Sequence, residues 1–221
     1  GRNILILHSF MMALMFSAPS FSSDILYVGD SHSVGCFGKV LDQTLRQDGH
    51  KVESHAACGA KTLSWLAPEG YTSVCGIRHC DVFGHCTQAP AGHTPNIQTL
   101  LNSTGPKTTI IELGSNMLRE DLESSLKDVD TMIAKVTDAK SKCIWIGPPQ
   151  AATFFISIEA FDHFVEALDS RVTAAGCAFI RGDDKTAREN IKDTLGLHYD
   201  CENGTAWANN TYPEVSKILE N

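Results

Sequence analysis

The chain has 221 residues, 43% of them hydrophobic and 20% charged, which suits one globular domain of generous size. Its formal net charge is −8 and it contains no basic run. Both features argue against a nucleic-acid partner.

The first element in chain order is a targeting segment. Arg2 leads into the apolar run ILILHSFMMALMF (4–16), followed by the small and polar SAPSFSS (17–23). A basic start, a short apolar stretch and small residues form the secretory-signal pattern. The apolar part is shorter than the roughly 20 residues a spanning helix needs. Residues 1–22 are therefore expected to be a signal peptide and 23–221 a single domain. The mature chain is expected to begin near Ser22 to Asp24, secreted or periplasmic, with no stable membrane span once the signal is removed.

DILYVGD (24–30) reads as a first strand. A helix follows over 34–49, with Val34, Phe37, Val40, Leu41 and Leu45 at helical spacing and Gly49 as its stop. KVESHAAC (51–58) is a weaker second strand ending at Gly59. Residues 67–106, rich in Gly, Pro, Cys and His and poor in periodicity, read as one long insertion held by disulfides rather than by a core. KTTIIELGS (107–115) is a β-branched third strand. A long amphipathic helix covers 119–139, with Leu122, Leu126, Val129, Ile133 and Val136 on one stripe. CIWIGPP (143–149) is a fourth strand, 156–176 another helix, and CAFIRGDD (177–184) a fifth strand. The tail from about Gly204 to Leu219 reads as helical, with Pro213 as a potential break. Strands separated by helices imply parallel pairing with right-handed crossovers, and hence a helix–sheet–helix sandwich around five strands.

Eight cysteines, an even set in a chain expected to be exported, point to disulfides. Cys143 and Cys177 begin the fourth and fifth strands, so neighbouring strands in register would bring their sulfurs together. Cys36 and Cys58 read as disulfide partners rather than nucleophiles. The knot CGIRHCDVFGHC (75–86) also permits a zinc reading through Cys75, His79, Cys80, His85 and Cys86, although the spacing matches no familiar finger or ribbon.

In a parallel sheet, ligands sit outside the carboxyl ends of the strands. Asp30 and Ser31 follow the first strand, Gly59 the second, and Gly114, Ser115 and Asn116 the third. A serine between a strand end and a helix is exposed by the turn and lies at unpaired N–H groups and positive potential. Acyl transfer further needs a base, a partner to orient it and donors for the tetrahedral oxyanion. Gly59 offers an N–H, Asn116 a carboxamide N–H, and His198, on a late loop, a base. Asp30 reads as a structural acceptor tying the turn, and His32 as a wall of the cleft.

Gly29, Asp30 and Ser31 near the expected mature start, a glycine after the second strand, Gly114-x-Asn116, and a late Gly-Leu-His before a Trp-Ala-containing helix resemble the SGNH (GDSL-like) hydrolases. The resemblance runs over essentially the whole mature chain, with its motifs in the right order. It implies a flavodoxin-like three-layer α/β/α sandwich with a mostly parallel sheet. It also implies Ser31 as nucleophile, His198 as base, and an oxyanion hole from the Ser31 N–H, the Gly59 N–H and the Asn116 side chain.

Two positions depart from the family pattern. The usual Asp-x-x-His has Leu195 three residues before His198, and leucine cannot accept an imidazole N–H. Asp193, Asp200 or a Ser–His dyad oriented by a backbone carbonyl remain as alternatives. The usual Gly-x-Asn-Asp ends here in Met117, which leaves the Asn116 donor in place. The resemblance implies an esterase that needs no metal or organic cofactor. Its expected substrate is an acetylated polysaccharide or peptidoglycan. Transfer to a sugar hydroxyl and lipase-type activity are alternatives within the chemistry. A non-catalytic carbohydrate- or protein-binding module, suggested by Leu195, is the alternative outside it.

Overall fold

The computed structural model describes residues 24–221; the expected signal peptide, 1–22, lies outside the described residues. Five strands run parallel: β1 (Ile25–Gly29), β2 (Val52–Ala57), β7 (Thr108–Glu112), β8 (Lys142–Ile146) and β9 (Ala178–Ile180). Between β2 and β7 the chain adds β3 (Tyr71–Ser73), β4 (Ile77–Cys80), β5 (Cys86–Ala89) and β6 (Gly92–Thr94). The main sheet has the order β5-β4-β2-β1-β7-β8-β9, while β3 and β6 form a separate two-stranded ribbon.

Side chains alternate across the strands, and each face is covered by helices, so both sets are apolar. Ile25, Tyr27, Ile110 and Ile144 pack on one side with α2 (Cys36–Gln47) and α7 (Cys201–Glu220), through Phe37, Leu41, Leu45, Trp207 and Val215. Leu26, Val28, Ile111 and Trp145 pack on the other with α5 (Leu122–Asp138) and α6 (Ile158–Ala174). Val129, Ile133, Phe161, Val165 and Leu168 supply the helical side of that layer. Asp121 and Ser157 cap α5 and α6 by accepting the N–H of Ser124 and Ala160. The three-layer α/β/α sandwich is the expected one.

The sheet is wider than five strands. Part of the segment expected to be an insertion joins it: β4 pairs antiparallel with β2, and β5 with β4. Nor does the segment lack a core throughout. Its last residues form α4 (Ile97–Thr104), capped by Asn96, and bury Ile97, Leu100 and Leu101. Two turns of helix are too short for their apolar spacing to stand out among the surrounding turn residues. The final helix begins at Cys201 and runs through Pro213. Both Pro213 and Asn209, whose carbonyl loses its partner, are exposed to water, while Thr211 and Val215 anchor the helix on either side.

All eight cysteines are paired, as Cys36–Cys201, Cys58–Cys75, Cys80–Cys86 and Cys143–Cys177. The sulfurs of Cys75, Cys80 and Cys86 are thus committed, which removes the thiolate zinc reading of the 75–86 knot. Among the described residues no helix is long and apolar enough to cross a membrane.

Candidate active site

The carboxyl ends of β1, β2 and β7 converge on Ser31, the first residue of the short helix α1 (Ser31–Val34). Asp30 caps this helix, its Oδ1 accepting the His32 N–H at 2.9 Å. Gly29 lets the chain turn so closely that a Cβ there would lie 2.0 Å from Ser33 Oγ. As the first helical residue, Ser31 has an N–H with no acceptor inside the helix.

Ser31 Oγ lies 2.9 Å from His198 Nε2. His198 Nδ1 in turn lies 2.6 Å from Asp193 Oδ2. The other oxygen of Asp193 accepts the N–H groups of Gly196, Leu197 and His198 at 2.9, 3.0 and 3.1 Å. The loop is therefore wound around the carboxylate that meets the imidazole. Burial alone would raise the Asp193 carboxyl, but the hydrogen bonds from the His198 ring and from the loop backbone outweigh it and hold the group below its ordinary value. Gly196 makes the winding possible: its φ is +78°, and a Cβ would come within 2.8 Å of Phe154. Leu195 points outward, 60% exposed. Asp200 is engaged elsewhere, capping α7 through the Asn203 N–H at 2.9 Å.

Gly59 sits in the turn after β2 at φ +79°. Asn116, in a short 3₁₀ turn after β7 (Ser115–Met117), reaches the same side of the site. Its Nδ2 donates to Ala60 O at 2.9 Å and to Asp30 Oδ2 at 3.3 Å. To serve an oxyanion it would exchange the longer of these bonds. His32 is buried, with its Nε2 3.1 Å from Ser115 Oγ and its ring edge-on to Trp207 at 5.3 Å between centroids. Burial, and then the neighbouring His198, push its pKa down to about 3, so it remains neutral. Ser31, His198, Gly35, Trp207 and the Cys36–Cys201 bridge line a cavity of about 270 Å³.

Behind Ser31 lies a group that the sequence reading missed. Glu112 is fully buried at the end of β7, where its Oε2 accepts from Ser33 Oγ at 2.7 Å and from the Asp30 N–H at 3.4 Å. Tyr27 extends the chain, its hydroxyl 2.5 Å from Ser33 Oγ. Burial, and then the charge of Asp30, push the Glu112 carboxyl well above its ordinary 4.5, while burial raises Asp30 to about 6. A lone acid in the otherwise uncharged, β-branched run TTIIELG was the available signal.

The Glu112 proton makes the folded state pH-sensitive. Above 4.5 the unfolded chain releases it, while the folded protein retains it until the raised value is reached. Wild-type stability contributed here therefore falls as pH rises through that window. Glu112→Gln, which mimics the protonated acid, is expected to lose this slope. The difference in Tm, variant minus wild type, should widen from about pH 5 to about pH 8 in thermal melts. A difference constant with pH would contradict a protonated Glu112.

No protein-family model and no curated protein matches the chain. Solved structures do. TesA aligns at 16% identity and a TM-score of 0.65, covering 88% of this chain and 98% of that one. The psychrotrophic esterase EstA from Pseudoalteromonas sp. aligns at 15% identity and a TM-score of 0.63, covering 89% and 98%. The acetyl xylan esterase AlAXEase aligns at 12% identity and a TM-score of 0.62, covering 86% and 98%. This chain shares their fold, the three-layer α/β/α arrangement expected of an SGNH-type hydrolase.

Proposed function

We propose that this SGNH-fold chain is a secreted or periplasmic serine esterase that removes short acyl groups, acetyl above all, from a polysaccharide or peptidoglycan. The observation that carries the reading is the unbroken hydrogen-bonded series Ser31–His198–Asp193 at the mouth of a cavity. In this mechanism His198 Nε2 takes the Ser31 proton as Oγ attacks the ester carbonyl. Asp193 holds the ring with Nε2 toward the serine and stabilises the imidazolium that forms. The tetrahedral oxyanion meets the N–H groups of Ser31 and Gly59, with Asn116 as third donor. His198 then protonates the leaving alcohol, and water, activated by the same ring, releases the acid. The four disulfides are compatible with an exported protein.

The walls of the cavity favour a small acyl group: they include His32, the Trp207–Phe37 stack and the Cys36–Cys201 bridge, groups held by packing or by a disulfide. Among the fold's neighbours, one is an acetyl xylan esterase by name. The test is kcat/KM for 4-nitrophenyl esters of increasing acyl length, beside acetate release from an acetylated glycan. The acetyl ester should be fastest, with a steep fall by octanoyl, and the glycan should be deacetylated. A rate that rises with chain length would move the reading to a lipase-type enzyme.

A further inference from the structure

A second cluster of polar side chains lies away from Ser31, where the Cys- and His-rich segment joins the parallel sheet. Antiparallel register sets His55 of β2 opposite His79 of β4. Glu53, two residues before His55, projects from the same face. One oxygen of Glu53, Oε1, lies 3.0 Å from His55 Nε2 and 2.7 Å from His79 Nε2. The two rings stack with centroids 4.3 Å apart and planes 17° from parallel.

We propose that Glu53, His55 and His79 form a binding site for a divalent first-row transition ion of the zinc type, clasping the disulfide-closed hairpin to the sheet.

Two imidazoles and one carboxylate are a donor set that zinc takes, usually with a water in the fourth position. The three donor atoms lie within 4.8 Å of one another. Bonds of about 2.0–2.2 Å in a tetrahedron place ligand atoms roughly 3.3 Å apart. The present separations of 2.7 and 3.0 Å to Glu53 therefore need to open only slightly, within the reach of side-chain rotation. On binding, each Nε2 would turn its lone pair to the ion and carry its proton on Nδ1.

Access and rigidity also suit an ion. His55 and Glu53 side chains are 9% and 15% exposed, while His79 is 42% exposed and leaves a path from solvent. The backbone is held on both sides, by the β1–β2 pairing and by the Cys80–Cys86 bridge at the foot of the β4–β5 hairpin. Asp81, next along the chain, is not a fourth donor here, since its oxygens accept from the Phe83 and His85 N–H groups and meet His85 Nδ1. A second grouping, Asp42 with Cys80 and Cys86, has no such capacity because both sulfurs are in a disulfide.

The experiment uses tag-free protein stripped with a chelator, then titrated with Zn²⁺ by calorimetry and with Co²⁺ by visible absorption. One equivalent should bind, Tm should rise with metal concentration, and Co²⁺ should give a low-symmetry visible spectrum. His79→Ala, at the half-exposed member of the cluster, should weaken binding at least about 100-fold, with the Tm of the metal-free variant showing that it is folded. Glu53→Gln should do the same, while His85→Ala, on the neighbouring exposed turn, should bind as wild type. Absence of saturable one-to-one binding would overturn the proposal, leaving the cluster as a hydrogen-bonded clamp. So would binding that survives His79→Ala and Glu53→Gln unchanged. None of these residues takes part in the proposed ester hydrolysis, so the two readings fail separately.

Discussion

Replacing Ser31 with alanine is expected to lower kcat for a short-chain aryl ester by about 10⁶, the scale on which loss of a triad serine acts. The substitution removes the atom that forms the acyl-enzyme and leaves the fold intact, because Ser31 Oγ meets His198 but ties down no buried group. What activity remains would come from the oxyanion donors and from binding. His198→Ala should fall nearly as far, and the double variant should fall no further, since the two residues act as a unit. Additive losses, or a Ser31→Ala enzyme at wild-type rate, would remove the covalent mechanism. Circular dichroism spectra that overlay wild type would show that the loss is chemical.

The second large effect belongs to Asp193. Asp193→Asn keeps an oxygen for the N–H groups of Gly196, Leu197 and His198, so the loop should stay wound. It places an N–H₂ against His198 Nδ1, which then has to accept rather than donate. The ring is driven into the tautomer that carries its proton on Nε2, facing Ser31, where it cannot act as a base. The analogous change in a serine protease lowers kcat about 10⁴-fold. A loss of similar order in kcat is expected, with little change in KM. Asp200→Asn is the control. Asparagine caps a helix as well as aspartate does, so that variant should stay within about threefold of wild type. Steady-state kinetics on both variants decides between the carboxylates. An unaffected Asp193→Asn would return the orienting role to Asp200 if Asp200→Asn falls, or to a backbone carbonyl if neither variant does; equal losses would deny Asp193 a special role.

Much of this architecture was legible in the sequence because it rests on apolar pattern. The runs ILYV, TTII and CIWI are buried on both faces, and α2, α5 and α6 carry one apolar stripe each, so both kinds of element announce themselves. The strands β4 and β5 do not. They carry Arg78, His79, Thr87 and Gln88, and their pairing is set by a tight disulfide-closed turn rather than by alternation. The helix α4 is hidden by its shortness. At the site, the strand ends placed Ser31, Gly59 and Asn116 from sequence order alone. Which acid meets the His198 ring was ambiguous for a geometric reason. A carboxylate three residues before His198 would be expected on the same turn, yet Asp193 reaches the ring from five residues away because Gly196 takes a left-handed turn and Leu195 swings into solvent. Glu112 went unread because its partners, Ser33, Asp30 and Tyr27, lie on another strand and turn, and only the parallel register of β1 with β7 brings them together.

The central claim is that Ser31 Oγ is a nucleophile activated by His198, and covalent labelling tests it most directly. An alkyl phosphonate with an aryloxide leaving group forms a phosphorus–Oγ bond as the aryloxide departs and the serine proton passes to His198. Intact-mass and peptide analysis should find one adduct per chain, on the peptide containing Ser31. Labelling should vanish in Ser31→Ala and slow by orders of magnitude in His198→Ala. A wild-type protein that hydrolyses esters yet stays unlabelled, or a Ser31→Ala protein labelled at the wild-type rate, would contradict it.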